Sequence, residues 1–208
     1  ACTAIRTKYF WYLIWFLPLG GVFVWFIYHQ FGKSVANGMK MVFHVGFGKN
    51  NKLPIRMVPL AIVGTWTTHL FGGSAGREGV AVQIGAAVSN NVGRLVDKTI
   101  DIENSRKMFL ITGMAAGFSG LFCTPLAAIF FALEVLVAGE LEYHALIPAT
   151  VASISAAFTS RALGLRKFHI NILETLNYHP STYNAVLLLK LAAMGLVFGI
   201  VGSLFALI

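Results

Sequence analysis

The chain has 208 residues, of which 57% are apolar and 12% are charged, and its mean hydropathy is +0.73. Soluble domains carry roughly 25% charged residues, so these numbers exclude an ordinary soluble globular protein. They also exclude a disordered or fibrous chain. Because too little polar surface is available to cover a core in water, the solvent around this protein must be lipid.

The positive charge is concentrated in one segment. Sixteen Lys and Arg against eight Asp and Glu give a net charge of +8. Five cations and no acid lie between positions 33 and 56: Lys33, Lys40, Lys49, Lys52 and Arg56. Such a bias is typical of a cytoplasmic loop between membrane spans. An RNA- or lipid-binding patch is the alternative, and we expect no nucleic-acid partner.

Uncharged runs predict the first membrane segments. Residues 9–28 supply 20 uncharged positions, which is enough to cross the hydrocarbon core. Residues 57–76 form a second run, which ends in a glycine-rich stretch from Gly72 to Gly76. If the basic segment is a cytoplasmic loop, the first span ends on the cytoplasmic side and the second span begins there.

The next two runs are short or interrupted. Residues 80–93 give only 14 uncharged positions before Arg94, which predicts a half-helix that begins inside the membrane. Residues 108–133 contain three glycines and Pro125, and Thr124 is placed to cap a helix whose first residue is this proline. We therefore expect a broken pair of helices in this part of the chain.

The remaining segments complete an all-α membrane protein. Residues 143–160 are rich in Ala, Ser and Thr, whose small side chains let helices approach closely in lipid. Residues 161–183 indicate a polar loop, and residues 185–208 indicate a final span with Lys190 near its start. Since the chain lacks an initiator Met and ends in a hydrophobic stretch, we expect a fragment.

Glu78 is the leading functional candidate. It lies between two long apolar runs at the predicted start of the half-helix, where an ionised carboxylate is costly unless it is paired or faces a water-filled path. Gly76 and Gly79 permit close approach of the backbone, and the amides that open a helix bind anions. A carboxylate there competes with the anion and also takes up protons, which predicts coupled exchange. The alternative is a structural acid that caps its own helix and pairs with Arg77.

Two ordered motifs resemble one known family. Residues 76–79 read Gly-Arg-Glu-Gly and residues 82–85 read Val-Gln-Ile-Gly. Further on, Gly-Met-Ala-Ala-Gly at 113–117 precedes Thr-Pro-Leu-Ala-Ala-Ile at 124–129 and Phe-Ala-Leu-Glu at 131–134. Both patterns are similar to signatures of the CLC chloride channels and proton-coupled anion antiporters. The resemblance implies the CLC-type inverted-repeat fold with broken and tilted helices, in a homodimer.

The resemblance covers the first inverted half of that fold. It implies one transmembrane domain over residues 1–208, which consists of the N-terminal repeat and runs into the start of the second half. Glu78 is then the external gate and proton acceptor. Gly76, Arg77, Gly79 and Val80 line the anion pathway next to it.

Three departures from the family pattern favour its bacterial fluoride/proton antiporter branch, CLC-F. Val80 replaces the usual proline, and Met39 stands where chloride-type members carry a serine. Val135 occupies the place of a second, inner proton-relaying glutamate. We therefore expect a proton-coupled antiporter that exports fluoride. A CLC-type chloride channel or chloride/proton antiporter is the alternative, and Met39 could equally be a packing residue.

Other polar residues are secondary candidates. Lys40 could attract anions to an inner vestibule, although an ordinary loop lysine fits the same position. Arg77 either steers anions to the outer mouth or neutralises Glu78. Glu134 closes a long apolar run and is either a helix-end group or part of a proton route. The histidines show no metal-ligand spacing, and we expect neither a metal nor a cofactor.

An enzymatic alternative comes from Gly117-Phe118-Ser119-Gly120, which matches the GxSG pattern of rhomboid intramembrane proteases, with His144 on a later segment. Catalysis would require hydrogen-bond contact between this serine and histidine. Because such short patterns are common in membrane helices, we expect a transporter and no enzyme. The expected partners are fluoride or chloride, protons and the lipid bilayer. The expected location is the plasma membrane, most simply a bacterial inner membrane.

Overall fold

The computed structural model describes residues 9, 12–35, 37–48, 53–96, 105–136, 140–165 and 185–207. Every regular element in these ranges is helical, which confirms the all-α prediction. The elements are α1 (Leu17–Phe31), α2 (Met39–Gly46), α3 (Met57–Leu70), α4 (Glu78–Val96), α5 (Ser105–Phe122), α6 (Pro125–Glu134), a 3-10 turn (Tyr143–Ala145), α7 (Leu146–Ala162) and α8 (Ala185–Leu207). The chain divides into two compact units, Ala1–Lys167 and Phe168–Ile208.

The first unit is built around the pair α4 and α5, whose backbones touch. A Cβ atom added to Gly85, Gly113 or Gly117 would collide with main-chain atoms of the facing helix. Small residues allow this close approach between membrane helices. Around the contact, Val82 and Met114 are buried in the core of the unit. As a result, α4 has a fixed position against its neighbour, and so does its first residue.

Two pairs of packed helices in this unit are antiparallel. Gly20 of α1 packs on Phe71 after the end of α3, whereas Tyr28 packs on Gly64, so α1 and α3 are antiparallel. Because α4 and α5 are antiparallel too, the end of the bundle that carries Glu78 also carries the end of α5 and the start of α6. We call this the Glu78 end. The opposite end carries the start of α5 and the end of α6.

The predicted broken helix pair is confirmed. Cys123 separates α5 from α6 with a φ of 54°, a left-handed conformation that is uncommon outside glycine. Pro125 begins α6, where its missing N–H is not needed by the helix. Thr124 occupies the predicted N-cap position, but its side chain makes no capping hydrogen bond. The carbonyl of Thr124 instead accepts the first hydrogen bond of the helix, from the Ala128 amide at 3.0 Å.

The basic segment is not a loop throughout, and in this respect the sequence prediction is wrong. Residues Met39–Gly46 form α2, which buries Val42 and Val45 and leaves Lys40 exposed. The cations flank a short apolar face that is sufficient to pack against the core. The predicted half-helix over 80–93 is also too short. The helix α4 has 19 residues, about 28 Å at ~1.5 Å per residue, and it continues past the half-buried Arg94.

The later segments follow the prediction with one shift. The small-residue run forms the 3-10 turn and α7, which extends past Arg161 to Ala162; the rest of the predicted polar loop, from residue 166, lies outside the described residues. In the second unit, α8 contains the window Leu188–Phe205 with a mean hydropathy of 2.1. Within the described ranges, this is the one helix of at least 18 residues that is apolar enough to cross a membrane.

Candidate anion pathway at the start of α4

The start of α4 presents free backbone amides. The amide of Ala81 donates to the carbonyl of Arg77 at 3.0 Å, which is the first hydrogen bond of the helix. The amides of Glu78, Gly79 and Val80 therefore have no acceptor within α4. They lie at the positive end of the helix dipole. This part of the chain is consequently suited to bind an anion or a carboxylate.

A glycine turn delivers the chain to this position. Gly72 has a φ of 85°, which an L side chain rarely adopts. The amide of Gly73 donates to the carbonyl of Thr68 at 2.8 Å and thereby closes the end of α3. The turn thus reverses the chain within a few residues, and α4 begins directly beside the end of α3.

The carboxylate of Glu78 folds back over Gly76. Its Oε2 atom lies 3.3 Å from the point where a Cβ atom of Gly76 would be, and the side chain is exposed. Within the described ranges, neither Glu78 nor Arg77 forms a salt bridge. The alternative in which Arg77 neutralises Glu78 is therefore absent from this structure. The carboxylate is therefore not held by an ion pair with a described residue.

The start of α2 forms a second set of donors. Gly38 adopts φ 50° and ψ −123° and precedes Met39, the first residue of α2. The amide of Lys40 donates to Asn37 and the amide of Met41 donates to Gly38. In the part of the chain that the structure describes, the Met39 amide has no acceptor. The Met39 side chain is half-buried and packs against the core.

Gln83 connects the two helix starts. Its Nε2 atom lies 3.5 Å from the point where a Cβ atom of Gly38 would be. Gln83 is five positions after Glu78 in α4, about 7.5 Å along the helix axis. The structure therefore brings Met39, which follows Gly38, close to the second turn of α4. In the sequence, the one signal of Gln83 is a carboxamide within an uncharged run.

Glu134 does not belong to this site. It is the last residue of α6, exposed, and lies at the opposite end of the bundle. At that end Lys107 forms a salt bridge with Glu142. The Lys107 side chain is 31% exposed and the Glu142 side chain is 21% exposed. Together with His144 they line a cavity of about 80 Å³. No local sequence pattern indicates this pair, because its partners are 35 positions apart.

The protease alternative lacks its geometry. The Ser119 hydroxyl is buried and donates to the carbonyl of Ser153 at 2.6 Å. His144 lies in the 3-10 turn and lines the cavity at the opposite end of the bundle. The structure thus separates the two residues that catalysis would need in contact. Among the described residues there is also no cluster of side chains that could hold a metal ion.

Comparisons with known proteins agree with this architecture. A family model described as voltage gated chloride channel matches residues 20–208. A chloride/fluoride channel protein of Pseudomonas syringae pv. tomato is 38% identical over 195 residues, which cover 94% of this chain and 41% of that protein. An H(+)/Cl(-) exchange transporter of Citrobacter koseri is 33% identical over 157 residues, which cover 72% of this chain and 30% of that protein.

A solved structure extends the comparison to three dimensions. The crystal structure of a CLC-type fluoride/proton antiporter matches with a TM-score of 0.85 and 44% sequence identity, over 99% of this chain and 50% of that chain. The predicted CLC-type fold is thereby confirmed. The chain spans half or less of the length of each of these relatives. It belongs to the voltage gated chloride channel family, the CLC family of membrane transport proteins.

Proposed function

We propose that the complete protein that contains this chain exports fluoride in exchange for protons, with Glu78 as gate and proton acceptor. The observation that carries the proposal is the free carboxylate of Glu78, exposed at the start of α4 and folded over Gly76. Support for the substrate comes from two relatives, which are named as a chloride/fluoride channel protein and a fluoride/proton antiporter.

The coupling follows from competition for one set of donors. An ionised Glu78 carboxylate is attracted to the free amides at the start of its own helix, which also attract an anion. Protonation removes the negative charge and weakens this attraction, so the side chain turns away and an anion reaches the amides of Gly79 and Val80. When the anion leaves to the outer side, the carboxylate returns and releases toward the inner side the proton that it took up from the outer side. Anion and proton thus move in opposite directions.

The start of α2 bears on which anion is transported. Met39 offers a thioether where a serine would offer a hydroxyl donor, and its side chain packs against the core. Fluoride is small and strongly hydrated, so it requires close donors, which the backbone amides supply. Chloride is the second candidate substrate, because one relative is named as an H(+)/Cl(-) exchange transporter. Lys40 is exposed beside this turn and would raise the local anion concentration.

A homodimer in a bacterial plasma membrane is part of the proposal. One face of α7 carries four exposed apolar side chains at helical spacing: Ile147, Val151, Ile154 and Phe158. Residues at such spacing form one continuous stripe. The adjoining α6 exposes Leu126 and Phe130. This apolar surface suits contact with a second copy within the bilayer.

Reconstitution in liposomes tests the proposed function. The complete protein is loaded with fluoride or chloride, and anion efflux and proton uptake are recorded together. We expect fluoride efflux that drives proton uptake, with slower chloride efflux. The variant Glu78→Gln cannot be deprotonated and should lose proton coupling. A matched control is Glu140→Gln, since Glu140 is exposed and follows α6 at the opposite end.

Three results would contradict the proposal. Chloride efflux equal to fluoride efflux would reject the selectivity for fluoride. Proton coupling that persists in Glu78→Gln, with the Glu140→Gln control unchanged, would reject the role of Glu78. Efflux of either anion without any proton movement in the unmodified protein would identify a channel.

A further inference from the structure

We infer that Gln83 is a positioning residue of the anion pathway, which holds the Gly38–Met39 turn at a fixed distance from α4 and thereby sets the preference for fluoride over chloride. The inference rests on the proposed function, and it names a residue that tunes the selectivity of the same site.

The first argument is the contact with the turn. The Nε2 atom of Gln83 lies 3.5 Å from the point where a Cβ atom of Gly38 would be, which is an ordinary contact distance. Gly38 has a φ of 50°, so the turn depends on glycine for its backbone conformation. The amide of Gln83 therefore lies against a tight turn that leads directly into Met39.

The second argument is the direction in which Gln83 leaves α4. Gly79 and Val80 precede it by four and three positions, and residues at these spacings share one face of a helix. Ala81 and Gly85 instead contact α5. The carboxamide is thus on the face of α4 that is turned away from α5. It shares this side with the turn before α2.

The third argument is the unused hydrogen-bonding capacity of Gln83. A carboxamide has two N–H donors and one acceptor. Gln83 is half-buried and makes no hydrogen bond to any of the residues that the structure describes. The atoms of the carboxamide keep access to solvent, so they are available to the turn or to an anion beside it. In both cases Gln83 determines how closely the starts of α2 and α4 approach.

The consequence is selectivity by distance. A small anion such as fluoride needs donors that converge closely, whereas the larger chloride tolerates a wider space. The Met39 side chain provides no hydroxyl donor. Gln83 therefore controls the spacing between the two helix starts. It takes no part in proton transfer, which involves only the Glu78 carboxylate.

The experiment compares Gln83→Met with the unmodified complete protein in liposomes. Methionine keeps the length of the side chain and removes the amide. The readouts are the ratio of fluoride to chloride efflux and the number of protons exchanged per anion. We expect the ratio to fall by about tenfold, the effect of losing one hydrogen bond to a charged group, with unchanged proton exchange. Gln83→Asn, which retains the amide on a shorter chain, should recover part of the ratio.

Gln83→Glu provides an independent test if the methionine variant does not fold. It keeps the shape of glutamine and adds a titratable negative charge beside the turn. Fluoride efflux should be slow when this group is ionised and should recover as the pH falls and it is protonated. An unchanged efflux ratio in folded Gln83→Met, or a wild-type pH profile in Gln83→Glu, would overturn the inference. Neither result would affect the proposed function, which fails only if the unmodified protein does not exchange fluoride for protons.

Discussion

Gly85 of α4 and Gly113 of α5 face each other so closely that a Cβ atom on either residue would collide with the carbonyl oxygen of the other. This contact determines where α4 lies along its neighbour. Glu78 precedes Gly85 by seven positions in the same helix, about 10 Å along the axis. The position of the Glu78 carboxylate therefore depends on packing two turns away from it.

The substitution Gly113→Ala tests this dependence. Its Cβ atom would meet Ser89 of α4 as well as the backbone of Gly85, so the two helices must separate. We expect a loss of about 1–3 kcal/mol in unfolding free energy, as for other overpacked contacts, and slower anion efflux. Thermal unfolding of the protein in detergent measures the first effect. The control is Gly21→Ala in α1, since a Cβ atom there has no neighbour within 4 Å. Equal stability of the two variants would contradict the prediction.

Gly76→Ala should affect the function without affecting the fold. The new Cβ atom would lie 3.3 Å from the Oε2 atom of Glu78, and the flexible end of that side chain can move aside. We expect unchanged thermal unfolding and an exchange rate about threefold lower, a difference of ~0.6 kcal/mol in activation free energy. Gly79→Ala is the steric comparison, because a Cβ atom there meets nothing within 4 Å. Equal exchange rates of the Gly76→Ala and unmodified proteins would show that the resting position of the carboxylate is unimportant.

The start of α4 and the break before α6 could be predicted from sequence, because local chemistry determines both. Glycines before Glu78 supply the backbone conformations of the turn, and Pro125 cannot continue a helix but readily begins one. The short helix α2 was missed for a physical reason. Its buried side chains, Val42 and Val45, lie among cations, and average composition over the segment hides an apolar face of eight residues.

The contacts between distant parts of the chain could not be predicted. Gln83 and Gly38 are 45 positions apart, and nothing in either local sequence indicates that they meet. Lys107 and Glu142 are likewise joined only by the return of the chain after α6. A single sequence specifies helices through periodicity and turns through glycine and proline. It carries no comparable signal for which helix faces pack together.

The salt bridge between Lys107 and Glu142 should stabilise the opposite end of the bundle. Its side chains are 31% and 21% exposed, which is intermediate between a surface pair and a buried pair. We expect Glu142→Gln to cost about 1 kcal/mol of unfolding free energy, since it leaves the Lys107 ammonium half-buried without its partner. The exchanged pair Lys107→Glu with Glu142→Lys should recover most of this loss. Unfolding of Glu140→Gln provides the control. A cost no larger than that of the control would mean that the pair adds no stability.

The hydroxyl of Ser119 has a structural role, which Ser119→Ala can test. It donates to the carbonyl of Ser153 at 2.6 Å, and in the same way Ser160 donates to the carbonyl of Gly120 at 2.7 Å. Hydrogen bonds of this kind between membrane helices contribute about 0.6 kcal/mol. We expect Ser119→Ala and Ser160→Ala to lose similar, small amounts of stability and to retain anion and proton exchange. A fluorophosphonate probe should leave the unmodified protein unlabelled. Labelling that disappears in Ser119→Ala but persists in Ser160→Ala would instead identify Ser119 as a nucleophile.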